Sequence, residues 1–297
     1  MEGFGATMRR FGGMPVPTVF AAALLGSVLA SPSGWVVAAK TKATSSSPNI
    51  PGPMLHRFLE GPMAGVDEII FATRVSGRDH WYVNFGYYSH DTSWGAKQVG
   101  AFKQENGRWW GYGEGGRLCR LNLHTGRLQV LLDDPKGGVR DPQVHYGGKK
   151  ILFSYRKGGE HAYHLYEINI DGSGLVQLTD GPDDDIEPTY CPDGSIVFCS
   201  SRCHRFVNCW STRVATLHRC DGDGKNIRML SSNIEHDNTP WILPDGRVLY
   251  LRWEYVDRSQ IRFHHLWTMN PDGTEQMVYF GNQFIGTAML DAKPIPG

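Results

Sequence analysis

Leu165-Tyr166-Glu167-Ile168-Asn169-Ile170-Asp171-Gly172-Ser173-Gly174, followed by Gln177-Leu178-Thr179, Glu187-Pro188 and Pro192-Asp193-Gly194-Ser195-Ile196-Val197-Phe198, is one unit of a repeat. A proline heads each unit, at Pro142, Pro188, Pro240 and Pro294, spaced 46, 52 and 54 residues apart. Behind three of them stand a turn and an apolar run: Gly147-Gly148-Lys149 before Ile151-Leu152-Phe153, Pro192-Asp193-Gly194 before Ile196-Val197-Phe198, and Pro244-Asp245-Gly246 before Val248-Leu249-Tyr250. A parallel ladder recurs from Leu118 to Gly126, Leu165 to Gly174, Leu217 to Gly224 and Leu266 to Gly273. Self-similarity at a period of about 50 residues marks a propeller or a solenoid.

The best-formed unit breaks into four apolar runs: Thr189 to Pro192, Ile196 to Ser200, Ala215 to Cys220 and Ile227 to Leu230. Four antiparallel strands a to d per unit make one propeller blade with strand a innermost. The chain thus reads as all-β, with roughly four and a half blades, a partial ring by the usual count of four to eight. The final Pro294 is expected to open a further inner strand. The boundaries read as a signal peptide or anchor at 1–39, a linker at 40–60, and propeller repeats over 61–297.

Thirty basic and 30 acidic residues balance, and no basic stripe points to nucleic acid. Arg9-Arg10 precede an apolar run from Thr18 to Ala30 with small residues at Val28-Leu29-Ala30, the pattern of an export signal. That run is short for a membrane span, so an uncleaved anchor is the alternative, and the protein is expected to be periplasmic or secreted. Export permits disulfides. Cys203 and Cys209 flank a loop they could close, while Cys191, Cys199 and Cys220 sit on strand-like positions and read as small buried residues.

Antiparallel order sends the a–b and c–d turns to one end of each blade and the b–c and d–a connections to the other. The first end carries tight Pro-Asp-Gly and Asp-Gly turns, where Gly supplies positive φ and Asp bonds its own backbone. The second end carries longer loops and an insertion from Arg74 to about Arg117, rich in aromatics. It collects His80, Trp81, Tyr82, His90, Asp91, Arg202, His204, His236, Asp237, Arg252, Glu254 and Tyr255 as a binding face for a protein or a glycan. Cys203, His80 and His236 are candidate ligands for a transition metal, zinc for instance, although no compact ligand spacing joins them. Asp183-Asp184-Asp185 with Glu187 reads as a solvated acidic loop, and Glu235 with Glu254 as a candidate carboxylate pair. Trp253 is as well suited to packing between blades as to touching a ligand.

The Leu178-Thr179, Glu187-Pro188, Pro192-Asp193-Gly194 pattern resembles the repeat of TolB-type propellers. Cys199-Ser200-Ser201-Arg202-Cys203, Arg252-Trp253-Glu254-Tyr255-Val256-Asp257, Leu266-Trp267-Thr268-Met269-Asn270-Pro271-Asp272-Gly273 and Lys293-Pro294-Ile295-Pro296-Gly297 are similar to the propeller region of hydrazine synthase alpha-subunit-like exported bacterial proteins. The resemblance covers about Asp67 to Gly297 and implies the propeller fold and an extracytoplasmic site. For hydrazine synthase itself it implies haem c groups and a multisubunit redox complex. This sequence departs from that by lacking a covalent haem attachment motif, so the synthase activity is not carried over. The leading expectation is an exported binding scaffold. The alternative is a metal- or haem-associated redox subunit completed by another subunit or a further C-terminal domain.

Overall fold

A computed structural model describes residues 52–61, 64–75, 85, 103–105, 108–110, 112–209, 212–284 and 287–295, with backbone only at 103–105, 108–110 and 287. The helix α1 (Pro53–Glu60) comes first, with Gly52 as N-cap and Pro53 at the first helical position, where a missing N–H costs nothing. It occupies the end of the span read as linker.

Strands follow in tight succession. β1 (Glu68–Arg74) is followed by the hairpin β2 (Lys103–Glu105) and β3 (Arg108–Trp110), then β4 (Gly116–Asn122) and β5 (Leu128–Asp134). The order β1-β4-β5 makes a three-stranded antiparallel sheet, with β2 and β3 paired by themselves inside the insertion. β6 (Gly138–Val144), β7 (Lys150–Arg156), β8 (His164–Asn169) and β9 (Val176–Gln177) form the second blade. β10 (Asp185–Tyr190), β11 (Ile196–Ser200), β12 (Thr216–Cys220) and β13 (Arg228–Met229) form the third. The fourth contains β14 (Asp237–Ile242), β15 (Val248–Trp253), β16 (Phe263–Met269) and β17 (Met277–Phe280). These are four-stranded propeller blades in chain order, and the innermost strands β6, β10 and β14 lie side by side.

Two expectations shift. Strand a of the third blade starts at Asp185, four residues before Thr189, so the last three residues of the d–a connection expected over Asp180–Glu187 are strand. Pro294 opens no strand among the described residues. Instead β18 (Thr287–Ala288) pairs in parallel with the start of β16, fixed by Met289 N–H donating to the His264 carbonyl at 3.0 Å.

Apolar faces of neighbouring blades close on each other. Leu118, Val139, Ile151 and Phe153 bury between the first and second sheets; Leu152, Leu165, Ile196 and Phe198 between the second and third; Val197, Leu217, Val248 and Tyr250 between the third and fourth. A central strand packed on both faces needs a continuous apolar run, and β11 is buried at all five positions. Each fully buried Leu, Ile or Phe contributes about 1.5–3 kcal/mol. At the tight-turn end Asp171, Asp193, Asp223, Asp245 and Asp272 each accept the backbone N–H two residues on, at 2.9–3.1 Å, and Gly172, Gly194, Gly224, Gly246 and Gly273 take positive φ.

Candidate functional site

At the loop-rich end, residues read as a binding face turn inward. Asp237 is fully buried and accepts from Arg252 Nε at 2.8 Å and Nη2 at 2.9 Å, a two-pronged ion pair. Asp185, the third-blade residue at the same distance before its proline, takes Arg202 Nε at 3.2 Å and Nη2 at 2.7 Å, with Ser200 Oγ at 2.7 Å. In the second blade that position is the buried Val139. Burial opposes ionisation of both carboxyls. At Asp237 burial prevails and the pKa is raised; at Asp185 His164, Arg202 and Ser200 bring it below the ordinary value.

The Asp183–Asp185 run is therefore no solvated loop. Asp184 Oδ1 accepts the Tyr163 N–H at 2.9 Å, Ser201 Oγ donates to Asp183 Oδ1 at 3.3 Å, and Asp183 Oδ2 meets His204 Nε2 at 2.9 Å. His236 is buried too, its Nδ1 accepting the Ala215 N–H at 3.0 Å. Trp253 is enclosed, stacked between Tyr255 and His264 at 5.3 Å each, and donates through Nε1 to the Gln260 carbonyl at 2.9 Å. Cys203 and Cys209 pack against this Trp253 cluster as free thiols. Cys203 Sγ donates to the Val214 carbonyl at 3.4 Å, and Cys209 Sγ accepts from Gln260 Nε2 at 2.9 Å. Each sulfur of the candidate pair thus holds a separate partner in this structure. Among the described residues no three Cys, His, Asp or Glu side chains converge as metal ligands. Glu235 is buried beside Asn208 and Glu254 lies 3.6 Å from Arg258, so the two carboxylates have different partners. His80, Trp81, Tyr82, His90 and Asp91 lie outside the described residues.

In the connection after β11, His204 and Phe206 stay exposed while Ser201, Val207 and Thr212 are buried. His204 is left-handed at φ 54° and 61 % exposed in its side chain, and Phe206 is 44 % exposed beneath the Arg213 guanidinium, 5.2 Å from its ring centre. A few described residues of the insertion reach the blades. Phe85 is fully buried in the core with Tyr112 and Tyr163, whose rings meet edge-on at 5.0 Å, and Arg156 Nη2 donates to the Gly113 carbonyl at 2.7 Å.

A second constellation runs along the axis, built from the repeat prolines themselves. Proline has no N–H for the ladder, and each inner strand bulges there: between Arg140 and Gln143, Ile186 and Thr189, Asn238 and Trp241. The residue before each proline is left-handed, Asp141 at φ 55°, Glu187 at 54° and Thr239 at 51°. Such conformations cost about 1–3 kcal/mol each and persist only when surroundings fix them. Here a relay between blades does so. Asp141 Oδ2 accepts the Glu187 N–H at 3.1 Å, and Glu187 Oε2 accepts the Thr239 N–H at 2.7 Å. Arg140, only 4 % exposed, ties the acids together, donating Nε to Asp141 Oδ2 at 2.5 Å and Nη2 to Glu187 Oε1 at 3.1 Å. The Cys199 thiol donates to Glu187 Oε2 at 3.4 Å. Burial raises the Glu187 carboxyl most; Arg140 pulls it down and Asp141 pushes it up, leaving it at about 7.

This relay lines a cavity of about 440 Å³ between the inner strands, closed on one side by Leu290, Asp291 and Lys293. A smaller pocket of about 120 Å³ shares Gln143 and Trp241 with it and adds Tyr146 and Tyr190 toward the tight-turn end. None of these axial side chains belongs to the expected binding face. The signal available in the sequence was a charged or hydroxylated residue ahead of each repeat proline: Asp141, Glu187, Thr239 and Lys293.

No family model matches the chain. Over 85 residues it is 40 % identical to hydrazine synthase subunit alpha of Kuenenia stuttgartiensis, a match spanning 28 % of this chain and 10 % of that protein. Among solved structures, Kuenenia stuttgartiensis hydrazine synthase superposes with a TM-score of 0.53 at 19 % identity, covering 74 % of this chain and 32 % of that one. TolB from Acinetobacter baumannii superposes with a TM-score of 0.38 at 14 % identity, over 55 % of this chain and 48 % of that one. The hydrazine synthase superposition shows the propeller fold. The chain spans about a third of that solved relative's length and matches a tenth of the curated one.

Proposed function

We propose that this chain is an exported β-propeller scaffold that holds a protein partner at its loop-rich end. The observation that carries the reading is the rigid mounting of one exposed aromatic loop. Buried Asp185–Arg202 and Asp237–Arg252 pairs anchor the chain around residues 201–209, while Phe206 stands half-exposed under Arg213 with His204 and Asn208 close by in sequence. An aromatic and an arginine on a preorganised support are the pair most enriched at the centres of protein interfaces. Phe85 in the core and the Arg156–Gly113 bond tie the described ends of the insertion to the blades. Extracytoplasmic placement is supported by the export-like N-terminal pattern, and a glycan is the second partner class for this end.

Phe206→Ala and His204→Ala are expected to abolish capture of the partner from an exported-protein fraction while leaving the melting temperature within about 2 °C, since surface truncations cost little. Capture undiminished in both variants would falsify the assignment to this loop. The redox reading rests on the 85-residue relation to hydrazine synthase subunit alpha. Elemental analysis tests it: stoichiometric zinc, copper or iron that is lost in Cys203→Ser supports that reading against the scaffold.

A further inference from the structure

We infer that the axial cavity is a site for a small carboxylate with an apolar ring, its carboxylate held by Arg74 and its ring carried toward Trp241. The charged groups along the wall are matched except for one. Arg140 lies between Asp141 and Glu187, and Lys293 meets Asp291 while its ammonium sits 4.8 Å over the Trp241 ring. Arg74 lines the same cavity, is exposed, and has no ion pair or side-chain hydrogen bond among the described residues. It closes β1 opposite Gly116, and the Gly115 N–H donates to the Gly137 carbonyl at 2.9 Å immediately before β6. The guanidinium is thereby brought to the loop-rich end of the cavity, where Arg140 follows on β6. The buried Tyr163 phenol registers both: burial raises its pKa, while Arg140, Arg74 and Arg156 lower it. A guanidinium fork meets a planar carboxylate through two parallel N–H···O bonds, and that partner is what Arg74 lacks.

The acids already present limit the ligand to a single charge. Against Arg74, Arg140 and Lys293 stand Asp141, Asp291 and Glu187. Burial raises the Glu187 carboxyl most and it ends at about 7, so near neutral pH it is half protonated and the wall keeps a small positive excess. A monoanion answers that excess. A dianion such as phosphate would carry its second charge toward Asp141 and Asp291, and a cation would meet the free guanidinium. Shape sets the rest. The volume of about 440 Å³ falls within the roughly 300–1,000 Å³ of small-molecule sites, and Pro142, Pro188, Pro240 and Leu290 supply apolar wall that a hydrated inorganic ion leaves uncovered. Trp241 joins the cavity to the pocket holding Tyr146 and Tyr190, which Arg74 does not reach. A ring attached to the carboxylate finds aromatic faces and edges there to pack against.

The test titrates the full chain with benzoate, phenylacetate and hydrocinnamate by calorimetry and saturation-transfer NMR, with phenylacetamide, benzylamine and inorganic phosphate as neutral, cationic and dianionic probes. At least one carboxylate is expected to bind saturably with a Kd of about 1 mM or tighter, and the amide and the amine at least about tenfold more weakly. Arg74→Gln is expected to weaken the carboxylate at least about tenfold while leaving the melting temperature within about 2 °C, because an exposed, unpaired side chain contributes little to stability. Arg74→Lys should recover part of that loss, and Arg228→Gln, which removes an exposed charge from β13, should leave binding unchanged. Trp241→Leu is expected to weaken binding about threefold; if it misfolds, Arg74→Gln decides alone. The loop surface is judged by partner capture, so either assignment can fail without the other. No saturable carboxylate binding, carboxylate binding indifferent to Arg74→Gln, equal affinity for the amide, or Arg74-dependent binding of phosphate in place of the carboxylates overturns the inference.

Discussion

Asp237→Asn separates a structural clamp from a contact residue. Asp237 is fully buried and accepts from Arg252 Nε at 2.8 Å, Arg252 Nη2 at 2.9 Å and Asn233 Nδ2 at 3.3 Å, and from the Ser231 side chain. Asparagine keeps one acceptor and turns a donor toward the guanidinium. Arg252 is then left with Gln276 Oε1 at 2.7 Å and the ring faces of Tyr250 and Trp267 at 5.4 and 4.5 Å. Breaking a buried ion pair costs about 3–5 kcal/mol, and the retained acceptor puts the amide at the low end, about 3 kcal/mol. Arg252→Met leaves an unpaired buried carboxylate and is expected to cost about 4 kcal/mol. In the double variant nothing charged remains to be stranded, so its loss should fall about 2 kcal/mol short of the sum of the singles. Urea unfolding of the four proteins at one pH measures this cycle. A loss under about 1 kcal/mol for either single, or strict additivity, refutes the clamp and returns both residues to the surface role their sequence positions suggested.

Gly138→Ala places its new methyl against the Tyr163 phenol, and overpacking of this kind should cost about 1–3 kcal/mol; wild-type stability would show that Tyr163 moves freely. Burial, helped by the neighbouring His265 and opposed by the Gln260 carbonyl, lowers the His264 pKa to about 4. The unfolded chain therefore binds the extra proton first, and this contribution is complete above pH 6.5 and lost as pH falls toward 4. His264→Phe should flatten that acid limb by roughly 2 kcal/mol in urea titrations at pH 7 and pH 4.5, and an unchanged slope would remove His264 from the account. Asp141→Ala removes the acceptor of the Glu187 N–H and one partner of Arg140, for an expected loss of about 2–4 kcal/mol by thermal or urea unfolding; a neutral variant would mean the relay does not hold the bulges.

The blades were legible because their signals are local. Apolar runs of four to six residues, and Asp-Gly turns whose carboxylates bond two residues ahead, depend on nothing outside themselves. The likeness to hydrazine synthase and TolB-type propellers was legible for the same reason, since it rests on those repeated turns. The inward rotation of Asp184, Asp185, His236 and Asp237 was not. These residues sit where the polar connection becomes the innermost strand, and composition alone makes a run of three aspartates look solvated. Arg202 from the connection after β11 and Arg252 from β15 offset the burial of Asp185 and Asp237, and backbone N–H groups do so for Asp184 and His236. The axial cavity escaped for a different reason. Its prolines stood at the head of every unit, but that the residue before each would turn left-handed and reach into the next blade depends on how two blades meet.

The relay has a polarity. Asp141 serves Glu187 and Glu187 serves Thr239, each acceptor lying in the earlier blade and each donor in the later one. A ribosome therefore delivers every acceptor before the amide that needs it. Each finished blade thus offers an edge on which the next left-handed strand can be fixed, an order that suits assembly from the N-terminal blade outward. Damage should propagate the same way: loss of the Asp141 carboxylate loosens the third blade's inner strand, and loss of the Glu187 carboxylate loosens the fourth's.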